Sequence, residues 1–148
     1  MSTYVHNRKA SFNFELLEKF EAGIVLAGYE VKAVRAGKGK LDGSHVVIRG
    51  NEAFLVGASI SPYQTANQPK NYDSEKPRKL LLSKKELARL ETQGEQAGLT
   101  IVPIKLYNAG RNIKLEIAIA RGKKKHDKRE TLKKRDTSRD IERILKQQ

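Results

Sequence analysis

The chain carries three histidines, His6, His45 and His126, and none sits in a zinc-type spacing such as H-E-x-x-H. His6 lies close to the start and His45 opens an apolar run, so both are expected to serve as surface residues. No serine occupies a G-x-S-x-G elbow. The run Gly37-Lys38-Gly39-Lys40 lacks the spacing of a phosphate-cradling P-loop and reads as a basic loop after a helix. Glu15, Glu18, Glu21 and Glu30 crowd the first thirty residues. Glu18 and Glu21 would meet across a bend, as solvated or lysine-paired acids rather than a general acid–base pair. Cysteine is absent, which removes disulfides, thiolate metal sites and thiol redox chemistry. These patterns predict no catalytic constellation, no metal site and no cofactor.

Binding chemistry is better supplied. The formal net charge is +13 and the pI near 10.0, a balance suited to a phosphate backbone. An anionic membrane is the rival, but it calls for bulky apolar anchors, and tryptophan is missing. Basic residues gather as Arg8-Lys9, Lys32-Arg35-Lys38-Lys40, Lys76-Arg78-Lys79 and Lys84-Lys85, then in the run RGKKKHDKRETLKKRD from Arg121 to Asp136. Solubility alone does not account for the excess, since acids serve it as well or better. Tyr63, Tyr72 and Tyr107 are candidates to stack on exposed bases.

The elements that must position these groups divide the chain in two. Residues 1–120 carry 18 Lys and Arg against 12 Asp and Glu, and residues 121–148 carry 12 against 5. The last fifth therefore holds more than half the net charge. Its aliphatic residues are Leu132, Ile141, Ile144 and Leu145, too few to offset about 1–2 kcal/mol of backbone ordering per residue. The expectation is a body, 1–120, and a basic tail, 121–148.

The body reads as short strands. Ile113, Leu115, Ile117 and Ile119 alternate with smaller or polar residues, the pattern of a half-buried strand. Leu99 to Tyr107 is a second strand; Pro103 places it at an edge or gives it a bulge. Asn108-Ala109-Gly110 joins the two as a hairpin. A second hairpin runs from Val46–Ile48 to Ala53–Val56, and a third pairs Phe12–Phe20 with Gly23–Gly28 around a bend at Glu21-Ala22-Gly23. Arg78 to Leu82 supplies one more strand. Ser83-Lys84-Lys85-Glu86 is a capping box opening a helix, and Tyr29 to Ala36 is a short helix with Val31 and Val34 inward. Ser61 to Pro77 is expected to be a mobile polar loop.

Such a set predicts a mainly β fold: a small closed antiparallel barrel, OB-fold-like, with two or three short helices and a basic C-terminal tail. A sandwich fits the strand count too. No apolar run approaches a membrane span and no secretory signal is read at the start, so the expected address is cytoplasmic.

Several segments follow one another in a specific order. They are Asn7-Arg8-Lys9-Ala10, Phe20-Glu21-Ala22-Gly23-Ile24-Val25-Leu26, Glu30-Val31-Lys32, Arg35-Ala36-Gly37-Lys38, Glu52-Ala53-Phe54-Leu55, Ile60-Ser61-Pro62-Tyr63, Arg78-Lys79-Leu80-Leu81-Leu82, Gly122-Lys123-Lys124 and Asp127-Lys128-Arg129-Glu130-Thr131. Together they resemble the small protein B family, the SsrA-binding proteins of bacteria. The resemblance implies an OB-fold adaptor, without catalytic activity, that binds the tRNA-like part of transfer-messenger RNA and delivers it to stalled ribosomes. It implies a tail that is disordered when free and helical in the empty mRNA channel near the decoding region. By matching motif, Asn7, Glu21, Leu81 and Lys114 fall where the family's barrel contacts RNA. Arg8, Lys9, Lys32, Arg35 and Lys79 join them on charge. In the tail, Gly122, Lys123, Lys124, Asp127, Lys128 and Arg129 match the family's two tail motifs, Lys125 lies between them as a further ribosome- or RNA-binding candidate, and His126 stands where a ring stacks on a decoding-centre base. The chain departs from the family at Arg121, where lysine is common, and at His45, where tyrosine is common.

The tail's own residues agree with that expectation. Asp127 and Glu130 form D-x-x-E, a helix-capping pattern. Glu130–Lys134 and Glu142–Lys146 are favourably ordered pairs, worth about 0.2–0.5 kcal/mol each. These bias a segment toward helix without fixing it. The expected partners are transfer-messenger RNA and the ribosome, with no membrane and a monomeric chain. Two rival readings stand beside this one: a general ribosomal or translation-factor OB protein binding ribosomal RNA, and an RNA-processing enzyme.

Overall fold

The computed structural model describes residues 2–62 and 71–123. Among the described residues nine strands and three helices follow in chain order: β1 (Thr3–His6), α1 (Arg8–Asn13), β2 (Phe14–Ile24), α2 (Gly28–Arg35), β3 (Gly39–Lys40), β4 (His45–Arg49), β5 (Glu52–Val56), β6 (Ser59–Ile60), β7 (Arg78–Leu81), α3 (Lys84–Gly94), β8 (Leu99–Ala109) and β9 (Asn112–Gly122). Seven strands make one antiparallel sheet in the order β1-β8-β9-β2-β7-β5-β4, and β3 pairs with β6 apart from it.

The expected hairpins at Val46–Val56 and Leu99–Ala120 are present. The first turns on Gly50 and Asn51, with φ of 58° and 64°. A two-residue turn with both centres left-handed matches the twist of the flanking strands, and glycine and asparagine tolerate that region best. The capping box also forms: Glu86 N–H donates to Ser83 Oγ and Ser83 N–H to Glu86 Oε1, each at 3.2 Å.

Two expectations change and two open readings are resolved. The hydrogen-bond ladder does not close into a barrel, because β1 and β4, its two ends, do not pair; β4 instead packs against β8. The third hairpin is one eleven-residue strand, β2, running through Glu21-Ala22-Gly23 without a bend. Pro103 does not mark an edge, since β8 lies between β1 and β9; the alternative holds, and the register slips between Pro103 and Lys105. His6, opposite Lys105 in β1, is exposed as expected.

The main core lies on one face of the sheet. Leu55, Leu80, Leu90, Leu106, Leu115 and Ile117 meet there with Val34 of α2. A smaller cluster sits on the opposite face, where Ala10 of α1 covers Val102 and Ala120, flanked by Phe14 and Leu16. β8 and β9 are therefore covered on both faces at one end, which fixes α1 against the sheet.

Candidate nucleic-acid interface

Three strands and one helix meet in a groove of about 330 Å³, lined by Gly23, Ile24, Leu26, Val31, Arg35, Leu81, Arg111, Asn112, Ile113 and Lys114. Its floor is one row across the sheet: Leu81 of β7 lies opposite Gly23 of β2, which lies opposite Lys114 of β9. Residues in one row share a face. Leu81 is 55% exposed, unusual for a leucine beside a core. A Cβ at Gly23 would stand 3.1 Å from Leu81 Cβ, so the absent side chain lets Leu81 lie low on the strand. Arg35 of α2 and Arg111 of the β8–β9 turn rim the groove, and Arg35 Nη2 donates to the Arg111 carbonyl at 3.4 Å. Lys32 is exposed one turn before Arg35.

The next row is acidic. Glu21 and Glu116 face each other across β2 and β9. Like charges so placed repel, and three neighbours relieve them. The Tyr107 hydroxyl donates to Glu21 Oε2, while Lys105 and Lys19 approach Glu116 at 3.8 Å each. Burial and the Glu21 carboxylate push the Tyr107 phenol well above its usual range. Lys105 also rests over the Tyr107 ring at 5.3 Å. The groove thus presents guanidinium and ammonium groups on one row and an exposed carboxylate on the next. Phosphates suit the first; base amino groups and ribose hydroxyls suit the second.

The groove is held open by a buried ion pair that charge counting misses. Glu30 and Arg78 are each 2% exposed. Arg78 Nη2 and Nε donate to Glu30 Oε2 at 2.8 and 3.1 Å, and Nη1 donates to the carbonyls of Ser74 and Lys76. Glu30 Oε1 accepts from Ala27 N–H at 3.0 Å, which fixes the start of α2. The Tyr72 hydroxyl donates to the Ile60 carbonyl, and its ring meets Tyr29 edge-on. Burial pulls the Glu30 carboxyl upward, but the Ala27 N–H, Arg78 and Lys76 together hold it below its ordinary value. The cluster locks α2, and with it Arg35, against β7.

The expected residues divide accordingly. Arg35, Leu81 and Lys114 come together in the groove, with Glu21 on the adjoining row. Lys79 shares the outward side of β7 with Leu81 and pairs with Glu52 at 3.1 Å. Arg8 and Lys9 are exposed on α1, Lys9 facing Asp42 at 4.0 Å. Asn7 is only 5% exposed, and its Nδ2 donates to the Pro103 carbonyl at 2.9 Å, so its side chain braces the β8 bulge. Arg78 points inward rather than joining the surface cluster with Lys76 and Lys79. Tyr72 and Tyr107 are engaged in the contacts above, not offered for stacking. Glu18 pairs with Arg89 at 2.6 Å and does not meet Glu21. Of the loop expected from Ser61 to Pro77, residues 71–77 supply Tyr72, Ser74 and Lys76 to the clamp, and residues 63–70 lie outside the described residues. Gly122 ends β9 and Lys123 follows it, bonded to α1. Lys124, Lys125, His126, Asp127, Lys128 and Arg129 lie outside the described residues, as does Tyr63.

The sequence reading missed Gly23 and Arg111. Gly23 looked like a bend, and Arg111 stood alone in a turn. Among the described residues no group of His, Asp or Glu is placed to hold a metal ion, and no helix is long and apolar enough to cross a membrane.

Comparison with known proteins fits this geometry. The family model described as SmpB protein matches residues 4–147. The chain belongs to the SmpB family. It is 49% identical over 140 residues to the SsrA-binding protein of Gloeothece citriformis, covering 95% of this chain and 90% of that one. The SsrA-binding protein of Acaryochloris marina is 51% identical over 95% of this chain and 91% of its own. That of Paraburkholderia xenovorans is 46% identical over 96% of each. A solved structure described as "tmRNA-SmpB: a journey to the center of the bacterial ribosome" superposes with a TM-score of 0.68 at 42% identity, covering 86% of this chain and 92% of that one.

Proposed function

We propose that this SmpB-family chain binds transfer-messenger RNA through its tRNA-like part and carries it to stalled ribosomes. The observation that carries the reading is the groove: Leu81, Gly23 and Lys114 in one row, rimmed by Arg35 and Arg111, in a chain closely similar to SsrA-binding proteins. Arg35, Arg111 and Lys114 take phosphates, Glu21 accepts from a base or ribose, and Leu81 offers an apolar step beneath them. The chain performs no catalysis and acts in the cytoplasm, as a carrier whose body holds the RNA and whose basic residues beyond β9 engage the decoding region. The curled sheet, with β4 laid against β8 but unpaired, serves as an opened OB-like barrel.

Purification of the chain from bacterial lysate, followed by sequencing of co-purified RNA, tests this. One enriched tRNA-like species is the expected result. Enrichment of ribosomal RNA alone would support the general ribosomal-protein reading, and metal-dependent cleavage of added RNA would point to an enzyme.

A further inference from the structure

Lys123 is the third residue of the basic run that starts at Arg121, and the resemblance assigns it to a tail motif. The geometry points to a different role: we infer that Lys123 is a positioning residue that closes the C-terminal end of α1 and so fixes the place and direction of the chain where β9 ends.

Three observations converge. A helix ends with carbonyls that have no partner within it, and a six-residue helix has few internal bonds to spare. In α1 the Ala10 carbonyl is taken by Phe14 N–H. The next two that matter are taken by one residue. Lys123 Nζ donates to the Ser11 carbonyl at 2.9 Å and Lys123 N–H donates to the Asn13 carbonyl at 2.9 Å. A cation there also suits the negative end of the helix. Second, α1 itself is anchored. Ala10 packs on Val102 and Ala120, and Asn7, just before α1, donates from its backbone to Ile104 and from Nδ2 to Pro103. Third, the last strand pair before Lys123 is Phe14 with Gly122, so the ladder hands the chain directly to this cap. Strand, helix and lysine form a closed bracket. That bond holds the ammonium over the end of α1.

The test compares Lys123→Ala and Lys123→Arg with the unaltered full-length chain. Amide exchange of residues 10–13 should rise several-fold in Lys123→Ala and return toward the original in Lys123→Arg. The slope of log affinity for transfer-messenger RNA against log salt should not change, whereas loss of a phosphate contact would lower it by roughly 0.7–0.9. Peptide tagging at saturating RNA should fall in Lys123→Ala and recover in Lys123→Arg. A reduced salt slope with unchanged exchange would overturn the inference. So would faster exchange with normal tagging, which would leave a cap with no positioning role. The salt and tagging readouts rest on the proposed RNA binding; the exchange readout does not. Failure of the unaltered chain to bind RNA would therefore sink the functional reading while exchange still decides the fate of the bracket.

Discussion

At the Lys114 end of β9 cations rim an open groove, and at the Lys123 end a cation is bonded to a helix. The first end holds Arg35, Arg111, Lys114 and an exposed Leu81 around a groove. The second buries Ala10 on Val102 and Ala120 and spends its lysine on α1. Both ends belong to one strand and are nine positions apart, about 30 Å at the rise of a strand. Equal charge in the sequence thus does opposite jobs: recognition needs unpaired cations, whereas anchoring needs satisfied ones.

The comparison breaks most sharply if the ends are not separable. Truncation after Lys123 is expected to abolish tagging while changing RNA affinity by less than about threefold, or ~0.6 kcal/mol. A filter-binding titration beside a tagging assay checks both; a large affinity loss would mean the groove is not the main RNA site. Glu30→Gln or Arg78→Met should lower stability to urea by about 3 kcal/mol, because one buried charge loses its partner. In such variants exchange should spread through α2 and the groove rim before it reaches α1, and the reverse order would merge the two ends into one unit.

Smaller effects sharpen the contrast. Gly23→Val, which crowds Leu81, and Leu81→Ala should each weaken RNA binding about tenfold, close to 1.4 kcal/mol, with the salt slope unchanged. Lys114→Ala should instead lower that slope by roughly 0.7–0.9, as expected for one lost phosphate contact. The mildest change is with acidity. Glu30 has a lower pKa folded than unfolded, so its contribution to stability is present above about pH 4.5 and is lost as pH falls through the folded value. Urea midpoints measured downward from pH 5 should decline, and Glu30→Gln should flatten the decline.

The hairpin of β8 and β9 was legible because Ile113, Leu115, Ile117 and Ile119 keep strict alternation. β2 was not. Its register slips between Leu16 and Glu18, which shifts the apolar residues between faces, and Gly23 imitates a turn. Gly23 is there for close approach, and only its neighbour on β7 reveals that. Leu81 and Arg78 invert the usual rule, leucine out and arginine in. The alternation of RKLL does hint that Arg78 and Leu80 share a side, but Glu30 lies 48 positions away, so the partner that permits burial is invisible along the chain. Of the residues carried by motif, Leu81 and Lys114 line the groove, Glu21 lies on the next row and Asn7 is buried against β8; of those carried by charge, Arg35 lines the groove and the rest are open or paired.

Two of the sheet's register slips flank β9, one in β2 near Leu17 and one in β8 near Ile104. They make β9 a ruler with a built-in angle. Its length in residue pairs sets the span between groove and bracket, and the slips add local twist, so they set how far one end is rotated against the other. Removing two facing pairs would keep every side chain on its own face and shorten the span by about 7 Å; removing one would turn the groove's lysine toward the core. The reach of this molecule is thus counted in whole pleats.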